Sequence, residues 1–84
     1  MYYVYILLSV KDKKRYTGHT HNLKQRFEEH QSGKVRSTKS RRPFKLIYYE
    51  CSLNEDDAKR REKYLKTAYG KRYLKQRLKS YSMG

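Results

Sequence analysis

Residues 2–9, Tyr-Tyr-Val-Tyr-Ile-Leu-Leu-Ser, are a run of aromatic and aliphatic side chains that ends in a serine. A short run of this kind, closed by polar residues, predicts a strand buried on both faces and central in its sheet. With a side-chain period of two, Val4, Ile6 and Leu8 point one way and Tyr3, Tyr5 and Leu7 the other. Residues 10–14 predict a polar turn and 15–18 a second strand, so the two make a hairpin. Asn22, with Gln25 three residues on, has the pattern of a helix N-cap, and Gly33 sits where that helix should stop. Residues 33–43 predict a loop and Phe44–Glu50 a third strand. Asn54 then caps a second helix whose first turn holds Glu55, Asp56 and Asp57, as the helix dipole prefers. Gly70 is expected to break that helix, and a short basic helix follows over about 71–79. The order β-β-α-β-α-α predicts an α+β fold, a small three-stranded antiparallel sheet flanked by helices. We read residues 2–79 as one domain and 80–84 as a C-terminal tail, without repeat, linker or low-complexity tract.

Composition sharpens this picture. Eighty-four residues leave room for one core only, and ten of them are tyrosine. A buried tyrosine ring seeks a partner for its hydroxyl, so the margins of the core should be polar. The single cysteine, Cys51, excludes an internal disulfide and reads as a small packed residue at a strand end. Met1–Ser9 is too short to span a membrane and lacks the basic start of a secretory signal, so the expected location is cytoplasmic.

Charge changes the picture most. Twenty-two Lys and Arg against eight acids give a formal net charge of +14. Self-repulsion on so small a domain points to a polyanionic partner. The basic residues are interleaved with tyrosines along the chain and not gathered on one amphipathic helix. That favours nucleic acid, DNA ahead of RNA, over a membrane surface. Oligomeric state is left open.

Candidate chemistry lies on the inner faces. At 100° per residue, Ala58, Leu65 and Tyr69 share the stripe of the second helix that must meet the sheet, and Glu62 falls in its middle. It is the only carboxylate after Asp57, in a stretch with ten Lys and Arg. An ionised carboxylate there needs a cation, and an intrahelical pair with Lys66 or Lys59 would serve as well as a metal. On the first helix Leu23, Phe27 and His30 share a stripe with Arg26 at its edge. Singly, Arg26 reads as a solvated residue, His30 as a satisfied core histidine, and Tyr5 and Tyr16 as core rings. His19 and His21 have the spacing of a metal pair, but without a third ligand they read as loop residues.

Together, Tyr5, Tyr16-Thr17-Gly18, Arg26, His30 and Glu62 resemble the GIY-YIG nuclease family. Its first motif, Gly-Ile-Tyr, is matched by Tyr3-Val4-Tyr5, and its second, Tyr-Ile-Gly, by Tyr16-Thr17-Gly18. The eleven residues from Tyr5 to Tyr16, ten more to Arg26 and four to His30 suit the family. So do Pro43, the strand Leu46–Glu50 and the run from Ala58 through Arg61, Glu62 and Leu65 to Lys66. The resemblance covers Tyr2 to about Lys79. The first motif's glycine is replaced by Tyr3 and the second's aliphatic residue by Thr17.

The resemblance implies a metal-dependent endonuclease that hydrolyses DNA phosphodiester bonds, in repair or recombination. One Mg²⁺ or Mn²⁺ ion would be held by Glu62, with waters and phosphate oxygens completing its shell. Arg26 would meet the charge on the phosphoryl oxygens. Tyr5 would be the base, which requires a phenol of ordinary pKa near 10 to be lowered to about 7. His30 would take its proton onward, and Tyr16 would orient a water or the phosphate. Gly18 would let the backbone pass close to the substrate. Lys34, Arg36, Lys39, Arg41 and Arg42 in the loop, and Lys71, Arg72, Lys75 and Lys79 near the end, are the expected phosphate contacts. The alternatives are a module of the same fold that binds DNA or RNA with little or no turnover, and an RNA-directed or toxin-like nuclease.

Overall fold

The apolar run at the start of the chain forms strand β1, Tyr2–Ser9, and lies in the middle of the sheet. A computed structural model describes the backbone of residues 1–83 and the side chains of residues 1–81. β1 pairs antiparallel on one side with β2, Arg15–Thr20, and on the other with β3, Phe44–Ser52, giving the order β2-β1-β3. The helices are α1, Leu23–Ser32; α2, Glu55–Leu65; α3, Ala68–Arg77; and α4, Lys79–Met83. The fold is thus a three-stranded antiparallel sheet with helices, of the α+β class, as the pattern of apolar positions predicts.

The alternation along β1 divides the interior in two. Val4 and Ile6 pack with Ala58 and Leu65 of α2 and Leu74 of α3. Tyr5 and Leu7 pack on the opposite face with Phe44, joined by Leu23 and Phe27 of α1. β3 carries one extra residue opposite Ile6–Leu7, and this bulge turns both Ile47 and Tyr48 toward the α2–α3 side. Asn22 caps α1 by accepting from the Gln25 N–H, and α1 stops at Gly33. Asn54 caps α2 by accepting from the Asp56 and Asp57 N–H groups. Both caps are where the sequence predicts them.

Four boundaries differ. β2 runs to Thr20, so His19 is a strand residue and not part of a loop. β3 runs to Ser52, and Cys51, expected to be packed, is exposed. A short 3-10 turn, Lys39–Arg41, interrupts the long basic loop. The segment expected to be a tail is helical through Met83; Gly84 lies outside the described residues.

The break between α2 and α3 also lies elsewhere. α2 ends at Leu65 with Lys66 as its C-cap, and Thr67 caps α3, its hydroxyl accepting from the Gly70 N–H. Tyr69 therefore leaves the α2 stripe and is 70% exposed. Gly70 does not break a helix. It is buried in the first turn of α3, where a Cβ would stand 2.1 Å from the Tyr64 carbonyl oxygen and 2.4 Å from Leu65 Cα. Hydrogen in place of a side chain lets α3 fold back directly onto the end of α2. α2 is also tied to the sheet. Arg61 grips Glu50 of β3 through Nε (2.6 Å) and Nη2 (3.3 Å), and its guanidinium lies over the rings of Tyr64 and Tyr73. The Tyr48 hydroxyl donates to the same carboxylate at 2.6 Å.

The contact at Gly70 involves backbone atoms, which no rotamer change can relieve. Gly70→Ala should therefore destabilise the domain by on the order of 3 kcal/mol, read from the urea midpoint. Ala68→Gly, at an exposed neighbouring site, should lose no more than about 1 kcal/mol.

Candidate active site

Tyr5 is 1% exposed, and the space its ring occupies is made by Gly18, its partner across the hairpin. A Cβ at Gly18 would lie 2.6 Å from the Tyr5 hydroxyl oxygen and 2.7 Å from Cζ. The expectation that this glycine lets backbone approach a substrate is therefore corrected: Gly18 is buried, and its missing side chain accommodates Tyr5. Tyr16, two residues earlier on β2, falls on the same face, its ring 6.3 Å from that of Tyr5.

His30 comes down onto this pair from α1, which Asn22 and Gly33 delimit. Its ring is fully buried, 5.0 Å from the Tyr16 ring and 5.7 Å from the Tyr5 ring, centroid to centroid. Nε2 is 2.9 Å from the Tyr5 hydroxyl, and Nδ1 is 2.9 Å from the Thr38 hydroxyl. Thr38 itself donates to the Val35 carbonyl at 3.3 Å. The hydroxyl of Thr38 is thus an acceptor toward His30, which assigns the imidazole hydrogen to Nδ1 and leaves Nε2 to accept from Tyr5. Three buried groups form one directed chain: Tyr5 to His30, His30 to Thr38, Thr38 to the backbone.

Burial fixes where the protons reside. It pushes the Tyr5 hydroxyl up to about 12, with the nearby Arg26 guanidinium pulling the other way and the charge of Glu62 adding to the rise. It pulls His30 down to about 4, with Arg26 acting in the same direction. The sequence-based expectation of a lowered Tyr5 is not met, because removing a phenolate from water outweighs the single guanidinium beside it.

Arg26 stands one turn before His30 on α1 and is held by Glu29, Nη1 to Oε1 at 3.1 Å. It lines a polar cleft of about 330 Å³ between the start of α1, the end of β2 and the start of α2, with His19, His21, Asn22 and Glu29. Glu62 reaches the same end of β2 from the other face of the sheet. Its side chain is 18% exposed. Oε2 accepts from Lys66 Nζ at 2.6 Å, the intrahelical pair expected from the sequence, and Oε1 accepts from His19 Nδ1. Burial raises its pKa, but these two bonds more than offset that and hold the carboxyl below its ordinary range. It is an ionised oxygen donor, as a divalent cation requires, with the flexible Lys66 on one oxygen. Among the described residues no three His, Cys, Asp or Glu side chains converge on one point, so a bound ion would rely on Glu62 plus water and phosphate oxygens.

Tyr5, Tyr16, His30 and Arg26 are thus gathered around one buried hydroxyl, while Glu62 acts on it through its charge and bonds to residues outside the predicted set. His19 is the residue missed. With β2 continued to Thr20, the alternation of side chains puts Thr17 and His19 on the α2 face, and this was the available signal. Thr38 carried none, being one hydroxyl in a polar loop.

The expected phosphate contacts divide. Lys34, Arg36, Lys39, Lys71, Arg72, Lys75 and Lys79 are exposed. Arg41 is not free: it pairs with Asp12 at 2.8 Å and donates to the carbonyls of Lys14 and Arg15. Arg42 is turned inward, its Nε on the Lys39 carbonyl at 2.9 Å. Both arginines brace the loop against the hairpin and α1.

The family described as the GIY-YIG catalytic domain matches residues 1–79. A UPF0213 protein of Clostridium perfringens is 45% identical over 67 residues, covering 79% of this chain and 71% of that one. Another, of Staphylococcus haemolyticus, is 41% identical over 75 residues, covering 88% and 90%. The solution NMR structure of a UPF0213 protein from Bacillus halodurans superposes with a TM-score of 0.53 at 36% identity, covering 88% of this chain and 82% of that one.

A histidine held near 4 in the fold and near 6.5 when unfolded binds its proton first in the unfolded chain. Its contribution to stability is complete above about pH 6.5, declines as pH falls toward 4, and levels below that. Urea unfolding of wild type and His30→Gln across this range should show the two stabilities converging as pH drops. A constant difference would show that the ring is not held neutral.

Proposed function

The chain belongs to the GIY-YIG nuclease family, and on that premise we propose that it is a cytoplasmic endonuclease that hydrolyses DNA phosphodiester bonds with one Mg²⁺ or Mn²⁺ ion, serving repair or recombination. The observation that carries this reading is the directed chain from Tyr5 through His30 to Thr38, beside Arg26 and an ionised Glu62. Tyr5 keeps its proton, His30 is neutral and able to accept it, and Glu62 is ionised.

Glu62 would hold the ion, which when bound supplies Lewis-acid polarisation of the scissile phosphate. Arg26, oriented by Glu29, would place its planar fork on the phosphoryl oxygens as charge builds there. Tyr5 is the proposed base. Its proton has one outlet, the lone pair of His30 Nε2, and the imidazolium so formed keeps its Nδ1–H on Thr38. Burial opposes a free phenolate, so Tyr5 would take the proton of the attacking water as it gives its own to Nε2. Tyr16 would orient the attacking water or the phosphate from the ring-lined side. His19 would keep Glu62 turned toward the end of β2. The exposed lysines and arginines would hold the backbone of either strand without reading sequence.

A binding module with little turnover is the second reading. The observation favouring it is that Tyr5 is pushed up to about 12 while both oxygens of Glu62 are engaged.

A panel of duplex, branched and single-stranded DNA, with RNA alongside, separates these readings. With Mg²⁺ or Mn²⁺ the wild type should nick DNA, and Glu62→Ala should lose roughly a hundredfold or more of that activity while still binding. If no substrate is cut under any of these conditions, the binding module replaces the nuclease. Preference for RNA would move the substrate assignment.

The charge has its own test. Affinity for DNA should fall by roughly tenfold or more between about 50 and 200 mM salt, since several phosphates are neutralised. The melting temperature of the free protein should rise with salt as its +14 is screened. A flat response in both would show that the charge serves some other purpose.

A further inference from the structure

An apolar groove of about 590 Å³ lies on the α1 face of the sheet. Tyr3 and Tyr49 form its floor, and Leu23, Phe27 and Leu46 its closed end. It exists because α1 begins at Leu23 and covers the Tyr5–Leu7 end of that face but not the end that carries Tyr3. Tyr49 is 55% exposed. The two rings meet edge to face, 6.2 Å apart at 61°, leaving flat surface open to solvent. Tyr3 stands where the family's first motif has glycine, so half of this floor is supplied by a departure from that motif.

We propose that this groove takes an unpaired nucleobase of a DNA strand whose backbone lies across the candidate active site, a proposal that rests on the DNA-binding part of the reading above. Three observations point to that occupant. The walls are aromatic and aliphatic with phenol hydroxyls at the margin, which suits a flat ring that has polar edges. The rim carries Lys24 and His21, and the whole molecule is +14, which attracts a phosphate-bearing ligand and repels a second copy of this chain. The groove also shares His21 and Asn22 with the polar cleft that holds Arg26. A strand with a phosphate at Arg26 therefore runs past the mouth of the groove, and a base freed from its stack can enter it. An intact duplex has no free base to offer, so the site selects frayed, looped or single-stranded DNA.

The test compares an oligothymidylate of about ten nucleotides with an abasic strand of the same length and charge, in EDTA so that no cutting occurs. Fluorescence anisotropy should give the thymidylate roughly fivefold to hundredfold tighter binding. Tyr49→Ala should remove that preference without changing affinity for the abasic strand, and Tyr49→Phe should restore it. Equal binding of both strands by wild type overturns the proposal without recourse to any variant, as does a preference that survives Tyr49→Ala. Failure to bind either strand overturns the groove assignment and the DNA reading together. A base preference in a protein that cleaves nothing upholds the groove and removes only the nuclease reading. Tighter, equally base-dependent binding of oligouridylate would overturn the assignment to DNA.

Discussion

A phenol hydroxyl buried to 1% exposure must have a partner, and Tyr5 has one only because His30 is buried at the right height on α1. An unpaired hydroxyl in that position would destabilise the fold by about 1–3 kcal/mol. His30 in turn needs Thr38, and Thr38 needs the Val35 carbonyl. The requirement passes from β1 to α1 to the basic loop until it reaches the backbone. That single chain of satisfied groups holds three segments, distant in sequence, in one arrangement. It also presents a proton donor, an acceptor and a guanidinium on one face of the sheet, so the demand for satisfied polar groups and the candidate chemistry have the same origin.

Acidic side chains are too few to neutralise the surface, and their placement has a different purpose. Among the described residues five of the eight are in ion pairs, and three of these join separate elements. Asp12 joins the hairpin to the loop through Arg41, Glu50 joins β3 to α2 through Arg61, and Glu62 joins α2 to β2 through His19. Exposed pairs such as Asp12–Arg41 contribute little stability, while those of Glu50 and Glu62 are part-buried; in all three, geometry is the main gain. Apart from Arg42, the Lys and Arg residues outside the ion pairs are exposed, so the domain keeps its tendency to associate with polyanions.

The sheet separates two tasks. On the α2–α3 face, packing is close enough that Gly70 has no room for a methyl group, and this face supplies the rigidity of a small core. On the α1 face the helix covers only part of β1, and the uncovered part carries an aromatic groove at Tyr3 and Tyr49, next to the polar cleft at Arg26. Glu62 crosses between the two, carried by the rigid side and acting by its charge on the other.

Local physics alone determined much of this protein. A period of two in Tyr2–Ser9 sorts Val4 and Ile6 from Tyr5 and Leu7. Asn22 and Asn54 cap their helices by bonds to residues two or three positions away, and such short-range rules are readable from one chain. The motif spacing likewise placed Tyr5, Tyr16, Arg26 and His30 on neighbouring elements, because strand and helix geometry convert spacing into position. What tertiary structure decided is whatever depends on a partner far away in sequence. Gly70 looked like a helix breaker because its close neighbours, Tyr64 and Leu65, become close only when α3 folds back. Gly18 looked like room for a substrate because the ring of Tyr5 fills it from another strand. The pKa of Tyr5 moved up instead of down because burial is a property of the assembled core, and His19 and Thr38 gained roles from contacts 43 and 8 residues away.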